Sequence, residues 1–178
     1  MKPSLLSRVS SRAGEAGAGL YTGVLSLIVL AASGAIGLAL SAPWLFPSLG
    51  PTVMMIFGNP DQPASRPVNA AVGHAVAIVA GVACLFLFGM NGKPSAPSAG
   101  LTLGYVFAGA LSVALTALVL HLLKLPHPPA GATTLIISLG VIATPPGILA
   151  MAAALAFTIV AGWGINWALG ERPPGAVR

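Results

Sequence analysis

The sequence predicts an all-α integral membrane protein built from two inverted repeats of about 81 residues, each a long span, a short broken span and a long span. Three observations support this fold class. Of the 178 residues, 56% are hydrophobic and 6% are charged, whereas an average soluble domain carries about 25% charged residues. The apolar residues form runs long enough to cross a hydrocarbon core of about 30 Å. Similar stretches recur 81 residues apart.

The composition also excludes several other classes of protein. A disordered chain is excluded because disorder requires low hydrophobicity and high charge. The net charge is +5, but the positive residues are scattered and form no basic stripe, so no nucleic acid partner is expected. A lone Cys84 excludes an internal disulfide and a cysteine zinc site. We expect membrane lipid as the surroundings and no cofactor or metal, and we leave a homo-oligomer open.

Six apolar segments divide a single membrane domain, 1–178. The apolar run from Leu20 is longer than the hydrophobic region of a signal peptide, so we interpret it as an uncleaved first span. The predicted order is a cytoplasmic N-terminal segment 1–19, repeat one 20–89, a linker 90–100, repeat two 101–169 and a cytoplasmic tail 170–178. The six segments cover about 20–42, 44–58, 68–89, 101–123, 127–142 and 146–169.

The repeat is visible in two ungapped matches at one offset. Residues 49–56 align with residues 130–137, and the sequence Ile-Val-Ala-Gly of 78–81 recurs at 159–162. Transporters are commonly built from such repeats, with the binding site where paired short, Gly/Pro-interrupted segments meet. The repeat therefore directs attention to segments two and five.

The distribution of Lys and Arg predicts a cytoplasmic N-terminus in a bacterial-type inner (plasma) membrane. If all six segments cross, the second half is inverted relative to the first, and Lys93 stands alone on the outside. The alternative has four full spans, with segments two and five re-entrant, and it keeps the N-terminus inside. With six crossings, the positive residues on the cytoplasmic side are Lys2, Arg8, Arg12, Arg66, Lys124, Arg172 and Arg178.

Segments two and five are too short or too interrupted to cross as simple helices. A helix over 44–58 would rise only about 22 Å. The residue before a proline favours extended backbone, and proline suits the first helical turn. We therefore predict extended chain over 43–49 with a helix start near Pro51, and extended chain over 125–128 with a helix start near Pro129.

A helix that starts inside the bilayer has unpaired N–H groups and the positive end of a helix dipole, and both favour an anion. Glycines there permit close approach, and neighbouring hydroxyls can donate to the same ligand. The alternative is a pair of kinked helices packed dry, with hydroxyls bonded to their own carbonyls. The predicted substrate-binding residues, near the bilayer midplane, are Ser48, Gly50, Pro51, Thr52, His127, Pro128, Pro129, Gly131, Ala132, Thr133 and Thr134.

A second group of polar residues lies in or beside the apolar segments. Ionisable groups inside a membrane are candidates for proton relays or gates. The alternatives are that the histidines cap helix ends and that Arg66 pairs with Asp61 in a solvated loop. A histidine-based metal site or intramembrane enzyme is the rival class, but no span contains a carboxylate, so we expect no enzyme. The possible relay or gate residues are His74, His121, Arg66 and Asn69.

The stretch 127–135, His-Pro-Pro-Ala-Gly-Ala-Thr-Thr-Leu, resembles the signature of the HPP family of integral membrane proteins. The stretch 48–52, the Pro-rich turn after it and the pair Gly73-His74 resemble the same family. Plastid and cyanobacterial members of that family are regarded as nitrite transporters. The resemblance therefore implies a transporter or channel for nitrite or a similar small anion. A structural membrane subunit is a further alternative.

Overall fold

The computed structural model describes residues 3–173 as seven α-helices, with no strand among these residues. The all-α prediction is confirmed, and α1, α3, α5 and α7 are long and apolar enough to span a membrane. Lys2 and Arg178, two of the residues predicted on the cytoplasmic side, lie outside the described residues. The helices are α1 (Leu5–Leu40), α2 (Leu49–Gly58), α3 (Pro67–Leu87), α4 (Ala96–Ala99), α5 (Leu103–Leu122), α6 (Ala130–Ser138) and α7 (Pro145–Ala168).

The first helix begins earlier than the apolar run indicates. Gly14 adopts a left-handed φ of 56° with ψ −143° inside α1. The chain folds back there so sharply that a Cβ added at Gly17 would lie 2.7 Å from the Val9 carbonyl oxygen. The folded-back start reaches the end of α7, where the Leu5 N–H donates to the Leu169 carbonyl at 3.0 Å. The N-terminal segment is therefore helical and packed on the bundle.

Each short helix follows an irregular stretch. α2 begins two residues before the predicted Pro51, and α6 begins one residue after Pro129. With 10 and 9 residues, they rise about 15 Å and 14 Å at 1.5 Å per residue. The preceding long helices end at left-handed residues, Ser41 with φ 49° and Lys124 with φ 56°. Each of the two segments therefore combines irregular chain with about half a span of helix.

One end of the bundle, which we call the positive end, gathers the start of α3, the ends of α2, α5 and α7, and the loop 59–66. Trp163 Nε1 donates to the Ser65 carbonyl at 2.8 Å. Asn69 Nδ2 donates to the Pro126 carbonyl at 3.2 Å. The elements at this end carry five of the described cationic side chains: Arg8, Arg12, Arg66, Lys124 and Arg172.

The opposite end, which we call the Lys93 end, brings together the end of α3 and the start of α7. Pro43, Lys93 and Gly147 line one groove there. The segment 41–58 therefore runs from the Lys93 end to the positive end, and the segment 125–142 runs in the opposite direction. Both broken segments traverse the bundle from one end to the other.

The two halves of the chain interlock through glycines on α3 and α7. A Cβ added at Gly81 would lie 2.9 Å from Ile137 Cβ, so α3 packs closely on α6. A Cβ added at Gly162 would lie 3.2 Å from Ile56 Cγ2, so α7 packs closely on α2. Small residues permit such close approach of helices in membranes. Each short helix is thus held by the last long helix of the other half.

The end of α2 is fixed by side chains that bind its terminal carbonyls. Ser65 Oγ donates to the Met55 carbonyl at 2.9 Å, and Asn166 Nδ2 donates to the Ile56 carbonyl at 2.7 Å. Tyr21 Oη in turn donates to Asn166 Oδ1 at 3.0 Å. A bilayer offers no water for these carbonyls, so protein groups must satisfy them. The network anchors α2 between α1 and α7.

Candidate functional site

His74 of α3 lies at the centre of a buried polar cluster. Its Nδ1 is 2.8 Å from Thr133 Oγ1 of α6, and its Nε2 is 3.1 Å from Thr52 Oγ1 of α2. His74 is 3% exposed, and both threonines are fully buried. The starts of the two short helices therefore meet at one imidazole, although they lie in different halves of the chain.

His127, in the irregular stretch before α6, is the second imidazole of the cluster. Its Nε2 is 3.2 Å from His74 Nε2, and its Nδ1 is 2.8 Å from the Ala64 carbonyl oxygen. The rings meet edge to face, with centroids 4.8 Å apart. A Cβ added at Gly73 would lie 2.9 Å from His127 Cβ, so this glycine is what allows the His127 backbone to approach α3.

The hydrogen-bond partners fix the direction of the proton donors in the neutral cluster. A carbonyl oxygen only accepts, so His127 Nδ1 donates to Ala64 and His127 Nε2 must accept. His74 Nε2 is then the donor toward His127, and His74 Nδ1 accepts from the Thr133 hydroxyl. This assignment follows from the chemistry of the partners. The cluster forms a continuous chain in which every ring nitrogen has a partner.

Hydroxyl groups lie at both helix starts, and they differ in whether they already have a partner. Thr52 Oγ1 donates to the Ser48 carbonyl at 2.8 Å, as the dry alternative anticipated. The hydroxyls of Ser48 and Thr134 are buried without a hydrogen-bond partner among the described residues. An unsatisfied buried donor costs about 1–3 kcal/mol. Two such hydroxyls, one at each helix start, are available for a ligand.

The expectation of unpaired N–H groups at the start of α6 is wrong. A turn precedes each short helix and brings carbonyls within reach of its first N–H groups. At α2, the Leu49 N–H donates to the Phe46 carbonyl at 3.0 Å. The polar groups that meet at His74 are therefore side-chain hydroxyls and an imidazole. At α6, the N–H groups of Ala130, Gly131 and Ala132 donate to the carbonyls of His127, Pro128 and Pro129 at 3.1, 3.0 and 3.1 Å.

The other residues predicted at the helix starts occupy different surroundings. A Cβ added at Gly50 or Gly131 would meet no atom within 4 Å, so both backbones border open space. Gly131 and Pro128 line a cavity beside α5, whereas Gly50 lines a groove between α1 and α2. Pro51 is exposed, Pro129 is buried and Ala132 is half-buried. Among the predicted set, Thr52, Thr133 and His127 contact His74 directly.

The predicted relay or gate residues are placed differently from one another. Asn69 is buried and holds the chain before His127 through its bond to Pro126. Arg66 has a buried Nε without a hydrogen-bond partner, and among the described residues it forms no ion pair with Asp61. His121 is exposed and does not contact the other two histidines. The structure therefore brings His74 and Asn69 to the cluster and leaves His121 outside it.

A cavity of about 720 Å³ opens beside this cluster between α5 and α6. Its lining includes Thr116, Leu120, His121, Lys124, His127 and Gly131. None of the described residues that line it is acidic. Lys124, predicted from the sequence only as one of the positive residues on the cytoplasmic side, borders the same cavity as His127.

The depth of the cluster follows from the position of His74 in α3. The residue is seven positions after Pro67, at the positive end, which corresponds to about 10 Å along the helix axis. His74 precedes Ala77, the middle of the 21-residue helix, by three residues, so the site lies close to the middle of α3 and is displaced slightly toward the positive end. Among residues 3–173, no group of three or more His, Cys, Asp or Glu side chains could hold a metal ion.

Four long apolar helices, two half-length helices and a buried polar cluster between them define a polytopic integral membrane protein. The family model described as "HPP, transmembrane region" matches residues 11–172. The chain belongs to the HPP family. No curated protein matches the chain, and no solved structure matches it.

Proposed function

We propose that this protein transports a small monovalent inorganic anion, nitrite first, through a site between the two halves of the bundle. The observation that carries the proposal is the meeting of Thr52 and Thr133 at His74. These threonines lie 81 residues apart, each near the start of a half-length helix. The protein acts as a transporter or channel, without enzymatic chemistry.

The composition of the site favours an anion over a cation. Its polar groups are hydroxyls and imidazoles, and the unpartnered hydroxyls of Ser48 and Thr134 lie at the starts of the same two short helices. No carboxylate takes part in the hydrogen bonds of the cluster. Nitrite is the first choice among small anions because the chain resembles a family whose plastid and cyanobacterial members are regarded as nitrite transporters.

The site lies between halves that we propose to be inverted repeats. Both short helices start at equivalent positions, Leu49 and Ala130. The broken segments run in opposite directions between the two ends of the bundle. The close contacts of Gly81 and Gly162 involve Ile137 and Ile56, which are themselves 81 residues apart. Inverted repeats of this kind permit one half to rock against the other around a fixed site.

We further propose that His74 and His127 form the proton relay of the site. In the neutral cluster the proton on His74 Nε2 lies between two acceptors, Thr52 Oγ1 and His127 Nε2. Each imidazole can exchange its donor and acceptor nitrogens when a proton is added or removed. A proton arriving with the anion would therefore be held inside the site itself.

Six crossings and a cytoplasmic N-terminus follow from the proposed inverted repeats. We expect a Gln62→Cys thiol to be labelled from the cytoplasm and a Lys93→Cys thiol from outside, on a Cys84→Ser background. Both positions are exposed, at opposite ends of the bundle. An impermeant maleimide applied to intact and permeabilised cells measures this. The reverse pattern, with residue 62 outside and residue 93 inside, would contradict the proposed topology.

Anion uptake into proteoliposomes that contain only this protein tests the proposed function. We expect nitrite uptake above that of protein-free vesicles. Nitrate, formate and chloride assayed in parallel define the selectivity. No uptake of any of the four anions would overturn the proposal. Near-stoichiometric zinc or copper in the purified protein, lost in His127→Ala, would support the rival metal-binding class instead.

A further inference from the structure

We propose that the cavity between α5 and α6 is a water-filled route to the site, and that Lys124 with His121 forms its anion-attracting mouth. Only the identity of the ion rests on the proposed function; the water-filled, cation-lined route is a property of the cavity itself. Lys124, which makes no hydrogen bond within the His74 cluster, thereby has a binding role of its own.

The backbone of Lys124 is the first observation that supports this role. Its φ of 56° is in the left-handed region, where glycine is the usual residue and a side chain carries a cost of about 1 kcal/mol. The Leu125 N–H donates to the Leu120 carbonyl at 3.0 Å, which completes a helix cap of the type that favours glycine. Lys124 therefore places a charged side chain at a position where the backbone conformation alone would favour glycine.

The lining of the cavity is the second observation. Lys124 and His121 are exposed at its outer part, and His127 and Gly131 form its boundary beside α6. His127 in turn contacts His74. Among the described residues that line the cavity, none is acidic and offsets the charge of Lys124. A cleft lined by one sign of charge raises the local concentration of the opposite ion.

The equivalent positions in the first half carry no lysine or histidine. Residues 81 positions before His121, Lys124 and His127 are Leu40, Pro43 and Phe46. Among the described residues, the groove beside α1 that includes Pro43 and Leu45 contains no charged residue, whereas a second groove at the Lys93 end brings Pro43 beside Lys93. The repeat therefore gives both halves a similar backbone, but Lys and His occupy these equivalent positions only in the second half.

Thiol modification inside the cavity tests the proposal without depending on transport. Ala117 lines the cavity and is exposed, so Ala117→Cys on a Cys84→Ser background reports on access. We expect the anionic reagent sulfonatoethyl methanethiosulfonate to react faster than the cationic trimethylammonioethyl reagent, after correction for their intrinsic rates. Lys124→Gln should lower this rate ratio about five-fold. Lys93→Gln, which removes a cation at the opposite end, is the matched control.

Two further variants keep the result interpretable. Lys124→Gly suits the left-handed backbone, so it should fold at least as well as the wild type and lower the ratio equally. Val113→Cys provides a second reporter in the same cavity. No modification of either thiol would show that water does not fill the cavity, and an unchanged ratio in both Lys124 variants would remove the anion-attracting role. Either result overturns the proposal.

Uptake kinetics separate this proposal from the proposed function. In proteoliposomes, Lys124→Gln should raise the KM for nitrite about five-fold and leave the maximal rate within about two-fold. If the wild type transports no anion but the rate ratio falls in Lys124→Gln, the route is correct and the proposed function is wrong. If nitrite is transported and the ratio is unchanged, the proposed function stands and the route is wrong.

Discussion

His74→Ala is expected to abolish nitrite uptake and to lower the free energy of unfolding by about 3 kcal/mol. The substitution leaves the Thr133 hydroxyl and His127 Nε2 without partners in a buried site. It also removes the side chain that connects α3 to both short helices. Initial uptake rates in proteoliposomes and thermal melting in detergent measure the two effects.

His121→Ala is the matched control for the stability part of this prediction. His121 is exposed and makes no contact with the other histidines, so its loss should change the free energy of unfolding by no more than about 0.5 kcal/mol. Because both substitutions remove a histidine, a difference between the two variants reports on the buried environment of His74. Uptake by His74→Ala within about two-fold of the wild type would contradict a role of the cluster in transport.

Gly73→Ala is expected to separate the two histidines and to reduce uptake about ten-fold or more. The added Cβ would lie 2.9 Å from His127 Cβ, which real structures do not tolerate without a shift. His127 is fixed by its bond to the Ala64 carbonyl, so α3 and the irregular stretch must move apart. Overpacking of this kind typically costs about 1–3 kcal/mol. Uptake rates and melting temperatures of the purified variant check both effects.

Gly164→Ala in α7 controls for the general effect of adding a methyl group to a glycine. A Cβ at Gly164 would meet no atom within 4 Å, and replacing glycine inside a helix stabilises it by about 0.5–1 kcal/mol. We therefore expect Gly164→Ala to be at least as stable as the wild type and equally active. If Gly73→Ala behaves in the same way as Gly164→Ala, close approach at Gly73 is not required.

The positions of the helices could be predicted because the relevant signals are local. Long apolar runs define α1, α3, α5 and α7, and prolines interrupt the other two segments. The expected helix starts at Pro51 and Pro129 lie within two residues of the observed Leu49 and Ala130. The N-terminal fold-back could not be predicted, since it depends on the single left-handed residue Gly14.

The composition of the candidate site could be predicted only in part. The sequence indicates that hydroxyls and histidines lie near the helix starts, but it contains no information on which of them meet. His74 and His121 are both histidines in apolar helices, and only packing against α2 and α6 distinguishes the buried one. The turn before Ala130 that occupies the first N–H groups of α6 is likewise a feature of the folded chain.

The charge-poor composition is consistent with the chemistry of the cluster. Inside a bilayer an unpaired polar group is costly, so polar side chains must converge on one another or on a ligand. Here imidazoles and hydroxyls from α2, α3, α6 and the stretch before α6 converge without a carboxylate. In the proposed function such a site binds an anion through neutral polar groups and requires little net charge in the membrane.

Nitrite uptake by the threonine variants tests the central claim most directly. Thr52→Val and Thr133→Val each remove one hydroxyl at His74 and keep the volume of the side chain. Thr22→Val in α1 is the control, because the Thr22 hydroxyl has no hydrogen bond to any of the residues that the structure describes. We predict that both site variants fold and lose about ten-fold or more in uptake, whereas Thr22→Val transports as the wild type does. Wild-type uptake by both site variants would contradict the claim that the two helix starts form the anion site.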